Sequence, residues 1–464
     1  MLMQVWSSWL QSLMRVRIVS GPFHDGVLLA AAIGLLALAA WQLVRADRVR
    51  LLWQLLAGVV TGAAGLLAAW LISDVIMVFG VSLGWAVIGW AAAGFAALGF
   101  VTATAVQARA LRRVIAIVMI PVMLVAAAVQ VDTVYGEYQT IGSLVGWSPY
   151  QSVSQAGIAR PTMTVDQWQR LAADGNLPNM PSTGRLFSER IANTASKFRA
   201  RPAMVWLPPA ALSDTPPKLP VLILLAGQPG SPGRAMQASG ITTLLNAYAT
   251  THDGLAPIVV SPDQNGGDTF NSLCADTTKF GKAETYLTKD VPNWIAANLP
   301  ADSTGAQWAI SGFSQGGTCS TQLAPRHADL FGAMIAVDGE IAPTSGSVDN
   351  MVASYFGGDR KAYEEQVPVN ALAAHAPSDQ AAVLAAGEND TVSVDNVKTI
   401  GAAARKAGWD VTELEVPGTG HDWHAVHAVL EAALPWWCAR VGLGSSSTTT
   451  NKTWKDYDKL EVLQ

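Results

Sequence analysis

Trp308-Ala309-Ile310-Ser311-Gly312-Phe313-Ser314-Gln315-Gly316-Gly317-Thr318-Cys319 is the stretch that decides the fold. An apolar run leads into Gly312-Phe313-Ser314-Gln315-Gly316, and small residues that can open a helix follow. Strand, tight turn and helix with a serine at the apex make a G-x-S-x-G nucleophile elbow. The glycines two residues either side of Ser314 suit such a turn, because a Cβ at either place would crowd neighbouring backbone. Five residues of common type are a weak signal alone. Their surroundings make it specific.

Short apolar runs recur at 203–207, 221–226, 257–260, 308–310, 333–337, 381–386 and 411–416. Helical periodicity fills gaps between them, as at 284–299 and 394–407. Strands alternating with helices predict a mostly parallel, doubly wound sheet, with chemistry at the carboxyl ends of its strands. The run 381–386 ends in Gly387-Glu388-Asn389-Asp390, and the run 411–416 ends in Pro417-Gly418-Thr419-Gly420-His421-Asp422-Trp423. Serine, acid and histidine thus follow in the chain order of the α/β-hydrolase triad, each on a loop after a strand. A serine hydroxyl needs a neighbouring base to become a nucleophile. His421 is expected to take its proton and pass it to the leaving group. A carboxylate would fix the imidazole tautomer and stabilise the imidazolium. Asp390 is the first choice for it and Glu388 the alternative, with Asp338 at the end of the preceding strand as a third.

An oxyanion hole needs backbone N–H donors aimed at the developing charge. Gln315 supplies the first. The second is expected from Ala226-Gly227-Gln228-Pro229-Gly230, where Pro229 has no N–H and Gln228 is the better candidate. Cys274 and Cys319 are expected to pair if the domain lies outside the cytoplasm, bracing the helix after Ser314. Cys438, the third cysteine, is then left over. His421, His424 and His427 lie close in sequence, but they span nearly two turns with no H-E-x-x-H pattern, so no metal is expected. No cofactor is expected either.

Apolar residues make up 50% of the 464-residue chain and charged residues 14%, and the apolar excess sits in the first 131 residues. Four stretches there, 26–44, 51–73, 83–106 and 111–131, approach the ~20 apolar residues that a membrane span needs. Arg45, Arg48 and Arg50 mark the first connection and Arg109, Arg112 and Arg113 the third, whereas the second has Asp74 and no basic residue. Positive residues stay in the cytoplasm, so the N-terminus and everything after the fourth span are expected outside. Arg15 and Arg17 dissent. A cleaved signal peptide ending near Ala37-Leu38-Ala39 is the rival reading of the first span. Gly58 and Gly62 form a G-x-x-x-G, read as incidental in a segment so rich in Gly and Ala. No ionisable residue lies mid-span, which argues against an ion path. The net charge of −5, without a long basic tract, argues against nucleic-acid binding.

The expected organisation is a four-span transmembrane bundle over 1–131 and an ordered extracytoplasmic connector over 132–200. An α/β-hydrolase domain follows over 201–440, then a polar, disordered tail over 441–464. The segments L-I-L-L-A-G, S-G-F-S-Q-G-G-T-C, A-G-E-N-D and G-T-G-H-D-W resemble the "Putative esterase" family, which includes esterase D-like hydrolases and actinobacterial trehalose mycolyltransferases. The spans and Val134-Tyr135-Gly136-Glu137-Tyr138 look like its membrane-anchored actinobacterial members. The resemblance implies Ser314 as nucleophile, His421 as base, an acid at 388–390 and oxyanion donors near Gln228 and Gln315. Ala226 departs from the His or Asp that many members carry there. The resulting expectation is a membrane-anchored serine esterase acting on ester substrates at the outer face of the cell membrane, with lipid or envelope glycolipid esters suggested by the location. Its alternatives are an acyltransferase that passes the acyl group to a sugar or lipid hydroxyl, and a receptor or scaffold built on an inactive hydrolase fold.

Overall fold

The computed structural model describes residues 9–463 apart from 46, 77–82, 136–137, 139, 146, 148–149, 268–269, 376–379 and 445–453. Gly136, Glu137 and the sequon-like Asn451-Lys452-Thr453 therefore lie outside the described residues. The chain forms two compact units, Met1–Pro149 and Tyr150–Gln464.

In the first unit α1 (Pro22–Val44), α2 (Arg48–Trp70, continued by a π turn at Leu71–Val75), α3 (Gly84–Gln107) and α4 (Ala110–Tyr135) match the four expected stretches to within about a turn. All four are long and apolar enough to cross a membrane. Their outer faces carry bare Leu and Val, with Leu36 70% and Val59 67% exposed, a surface suited to lipid rather than water. Gly58 and Gly62 are not incidental. A Cβ on Gly62 would lie 2.9 Å from that of Ala96, and one on Gly58 would lie 3.0 Å from the Ala96 carbonyl. Small residues let α2 and α3 close to backbone contact, and Thr61 Oγ1 crosses to the Phe95 carbonyl at 2.9 Å. Arg112, counted above as a connection charge, is buried. It donates to the Gln42 side chain, to the Leu38 carbonyl at 3.2 Å and to Gln54 Oε1 at 3.0 Å, tying α1, α2 and α4 together.

In the second unit, beside a two-residue ribbon of Asp276–Thr277 with Gly281–Lys282, the strands of the main sheet are β1 (Arg185–Glu189), β2 (Ala203–Leu207), β3 (Val221–Leu225), β4 (Ile258–Ser261), β5 (Gly305–Phe313), β6 (Phe331–Val337), β7 (Ala381–Gly387), β8 (Asp410–Val416) and β9 (Glu461–Val462). They form one sheet in the order β1-β2-β4-β3-β5-β6-β7-β8-β9. Its middle, from β4 to β8, is parallel, and antiparallel pairs close both edges. The central strands read as unbroken apolar runs because helices cover both faces, and every residue of β3 is buried. All seven expected runs are strands. The two edge strands come from segments not expected to supply any. β1 lies in the supposed connector, whose Trp168 is fully buried and donates Nε1–H to the Asp253 carbonyl at 2.9 Å. β9 lies in the supposedly disordered tail and pairs Leu414 with Val462 and Glu415 with Glu461. Residues from Tyr150 onward therefore belong to the hydrolase-like unit.

Candidate active site

Ser314 stands between β5 and helix α5 (Gln315–Arg326) with φ 55° and ψ −119°, a backbone conformation that L-residues avoid. Neighbouring strands hold it there, and its N–H donates to the Val337 carbonyl at 2.9 Å. The two elbow glycines are required by space. A Cβ on Gly312 would sit 2.3 Å from Gly316 backbone, and one on Gly316 would sit 2.5 Å from the Leu225 carbonyl.

The histidine arrives on the loop between β8 and helix α7 (Trp423–Arg440), and the acid on the loop between β7 and helix α6 (Thr391–Lys406). His421 Nε2 lies 2.8 Å from Ser314 Oγ, and Nδ1 lies 2.7 Å from Asp390 Oδ2. The structure thus brings together three residues that are 107 and 31 positions apart in sequence. Glu388 is engaged elsewhere: its Oε2 accepts the Gly418 N–H at 2.7 Å, stitching the acid loop to the histidine loop. The Asn389 N–H, donating to the Thr419 carbonyl at 2.8 Å, adds a second stitch. Gly387 makes this possible, since a Cβ there would strike the Gly420 carbonyl at 2.2 Å. Asp390 also caps α6 by accepting the Ser393 N–H at 3.2 Å, and Asp422 caps α7, accepting from His424 at 2.9 Å and Ala425 at 3.1 Å. Each cap fixes the residue beside the chemistry. The Phe313 ring packs 4.9 Å from the His421 ring and 4.8 Å from that of Trp423, walling off one side.

Burial opposes charge on His421, but the Asp390 hydrogen bond and the nearby carboxylates Asp338, Asp390 and Glu340 outweigh it and raise its pKa. Burial alone would raise Asp390. Hydrogen bonds from His421 and Ser393, with the imidazole's charge, hold it below the usual carboxylate range instead. Such an arrangement can carry a proton from serine to imidazole and stabilise the imidazolium that forms. Asp338, Asp390 and His421 each bring one atom within 4.8 Å of the others, a spacing a cation could use. Ser314 and Asp390 already occupy both ring nitrogens, which accounts for the imidazole without an ion.

Gln315 directly follows Ser314, and the loop that carries Gln228 lies beside it. A Cβ on Gly227 would be 3.5 Å from Ser314 Cβ, so the Gly227-Gln228 loop abuts the nucleophile. The Gln228–Pro229 peptide is cis. Arg201 grips the buried Asp263 with both ends of its guanidinium, at 3.0 and 2.8 Å, and donates to the Gly230 carbonyl at 2.8 Å. The Gln315 side chain is pinned by amides that the sequence did not single out. Its Nε2 donates to Asn265 at 2.9 Å and Asn271 at 2.7 Å, and its Oε1 accepts from Asn265 at 2.7 Å. Their signal was the polar Asp263-Gln264-Asn265-Gly266 stretch straight after β4, where the sheet's chemistry is expected. Cys274, in the same loop, is bonded to Cys319 of α5 with the Cα atoms 5.7 Å apart, and Cys438 is free and buried.

Residues 196–460 match the family model described as "Putative esterase". An uncharacterized protein of Corynebacterium glutamicum is 29% identical over 337 residues, covering 71% of this chain and 77% of its own length. Among solved structures, an S-formylglutathione hydrolase from Agrobacterium tumefaciens is 19% identical, with TM-score 0.47 and coverage of 57% of this chain and 99% of that one. A ferulic acid esterase is 20% identical, with TM-score 0.46 and coverage of 57% and 100%. MPT51 of Mycobacterium tuberculosis is 18% identical, with TM-score 0.39 and coverage of 54% and 98%. Because the family model spans more than half of the chain, the chain belongs to the "Putative esterase" family and is by class a serine hydrolase or acyltransferase.

Proposed function

We propose that this protein is a membrane-anchored serine esterase that acts through a Ser314–His421–Asp390 triad on lipid or glycolipid esters at the outer face of the membrane. The observation that carries the reading is the placement of His421, 2.8 Å from Ser314 Oγ on one side and 2.7 Å from Asp390 on the other. Ser314 Oγ attacks the ester carbonyl while His421 Nε2 takes its proton. The tetrahedral oxyanion is met by the N–H groups of Gln315 and Gln228. Its collapse expels the alcohol, protonated by His421, and leaves an acyl-serine that water, activated by the same imidazole, then cleaves. Transfer to a sugar or lipid hydroxyl follows the same steps with that hydroxyl in place of water.

Two further observations support the substrate class and the location. Among the described residues of the second unit, the large apolar side chains left well exposed are Phe270, Ile341, Val348 and Val392. In sequence, all four follow the carboxyl ends of β4, β6 and β7, the end of the sheet from which Ser314, Asp390 and His421 also come, and they would suit an apolar acyl chain. The Cys274–Cys319 bond favours an oxidising compartment, in line with the arginine asymmetry of the span connections.

Fluorophosphonate labelling of the full chain in native membranes tests the enzyme reading. Wild type should label and Ser314→Ala should not; equal labelling of both ends the triad proposal. A topology reporter belongs after residue 464 and not after 440, because Glu461–Val462 is a strand of the sheet. Activity of that reporter on the cytoplasmic side would overturn the outside location.

A further inference from the structure

Asp338 lies at the carboxyl end of β6, next to β7, which delivers Asp390. It is fully buried and has a left-handed backbone with φ 49°, a conformation costly for a residue with a side chain. Its N–H donates to the Ala385 carbonyl at 2.8 Å, and its Oδ1 accepts the Gly387 N–H at 2.9 Å. Oδ2 is buried with no hydrogen-bond partner among the described residues. A buried, unpaired carboxylate oxygen is expensive unless something uses it. Asp338, Asp390 and His421 bring their polar atoms within 4.8 Å of one another.

We propose that Asp338 is a reserve carboxylate for His421, a positioning residue whose unpaired Oδ2 takes over the imidazole when Asp390 is lost. The inference rests on the triad proposed above. In the intact site Asp390 accepts the Nδ1–H, and Asp338 adds a second negative charge beside the ring. Without the Asp390 side chain, the imidazole tips toward Asp338 and the Nδ1–H donates to Oδ2. The tautomer that leaves Nε2 free to receive the serine proton is thereby kept. No bond is made or broken in the switch.

The charged groups acting on Asp338 are His421 and Asp422 on the histidine loop and Asp390 on the acid loop, while Glu340 on its own loop acts on His421. Burial pushes the Asp338 carboxyl up to about 7, against the pull of His421 and the Gly387 N–H. Asp338 and His421 are both raised and are coupled to each other, while Asp390 stays ionised.

The test uses the full chain in detergent with p-nitrophenyl butyrate as the probe ester. Asp390→Ala should keep about tenfold or more of the rate left in His421→Ala, because a second acid still orients the ring. Adding Asp338→Asn to Asp390→Ala should erase that excess. Asp338→Asn alone removes negative charge beside His421 and lowers its pKa, so the acidic limb of kcat/KM should move to lower pH. A purely structural role would lower the whole profile without moving the limb. If Asp338→Asn does not fold, Asp338→Ser keeps an acceptor for the Gly387 N–H and carries the same test. The inference is overturned if Asp390→Ala is as dead as His421→Ala, if the excess survives in the double variant, or if the limb stays in place in a folded Asp338 variant. Full hydrolysis by Ser314→Ala would bring down the triad reading as well; an inert Ser314→Ala with a flat Asp338 series would bring down this inference alone.

Discussion

The two units use the same apolar residues in opposite directions. In the helical unit Leu36 and Val59 face outward and stay bare, while Gly58, Gly62 and Ala96 form the contact between helices. In the hydrolase unit Leu222 and Val259 are fully buried between sheet and helices. The first unit is completed by what surrounds it, the second by its own core. One consequence is an uneven sensitivity to change. An outward-facing leucine of the helical unit can become another apolar residue at little cost. Around Ser314 the backbone of Gly312 and Gly316 leaves no room for a Cβ.

The largest effect expected from this contrast is on catalysis. Ser314→Ala should lower ester turnover by at least about 10⁴-fold, read by release of p-nitrophenol, without lowering the thermal midpoint of the hydrolase unit. A residual rate within tenfold of wild type would break the comparison, because the second unit would then not depend on single atoms. Next comes the disulfide. Reduction, or Cys274→Ser with Cys319→Ser, should destabilise the hydrolase unit by about 2–4 kcal/mol through its 45-residue loop and leave the helical unit's melting unchanged in a two-transition scan. A shift in both transitions would show that the units are not separately stabilised. Third, Gly62→Leu drives a side chain against Ala96 and should cost the helical unit about 1–3 kcal/mol in detergent, with labelling of Ser314 intact. The smallest effect is in pH. His421 is raised by its carboxylates, so kcat/KM should fall as pH drops through a value above the ordinary histidine pKa of about 6.5. A limb below that value would contradict the carboxylate cluster.

Much of this was readable in the sequence, for physical reasons that also set the limit. Strands such as β3 and β7 are buried along their whole length and so must be written as apolar runs, while β8 is only partly buried and keeps Val411, Leu414 and Val416 as its apolar signal. Ser314, Asp390 and His421 could be found because each follows such a run. Asp390 was preferred to Glu388 on sequence, but both lie within a few residues of one strand end, and the fold shows that Asp390 is the one that reaches the ring. β9 was invisible because a two-residue edge strand docks through its backbone and leaves no periodicity. The polar stretch after β4 hinted at a role for Asn265, but its link and that of Asn271 to Gln315 could not be read because Gln315 is 50 and 44 residues away. The contact at Gly58 and Gly62 was misjudged because composition hides a motif made of the commonest residues in its segment. That Arg112 is buried could not be read, because a charge count does not say which way a side chain turns.

The elbow backbone at Ser314 has a further meaning. Its φ of 55° is one that glycine adopts freely and serine resists. Selection for durability alone would drift this position to glycine and relax the turn. A serine there is a small built-in instability at the centre of an otherwise well-packed sheet, the kind of strain that the proposed catalytic role would account for.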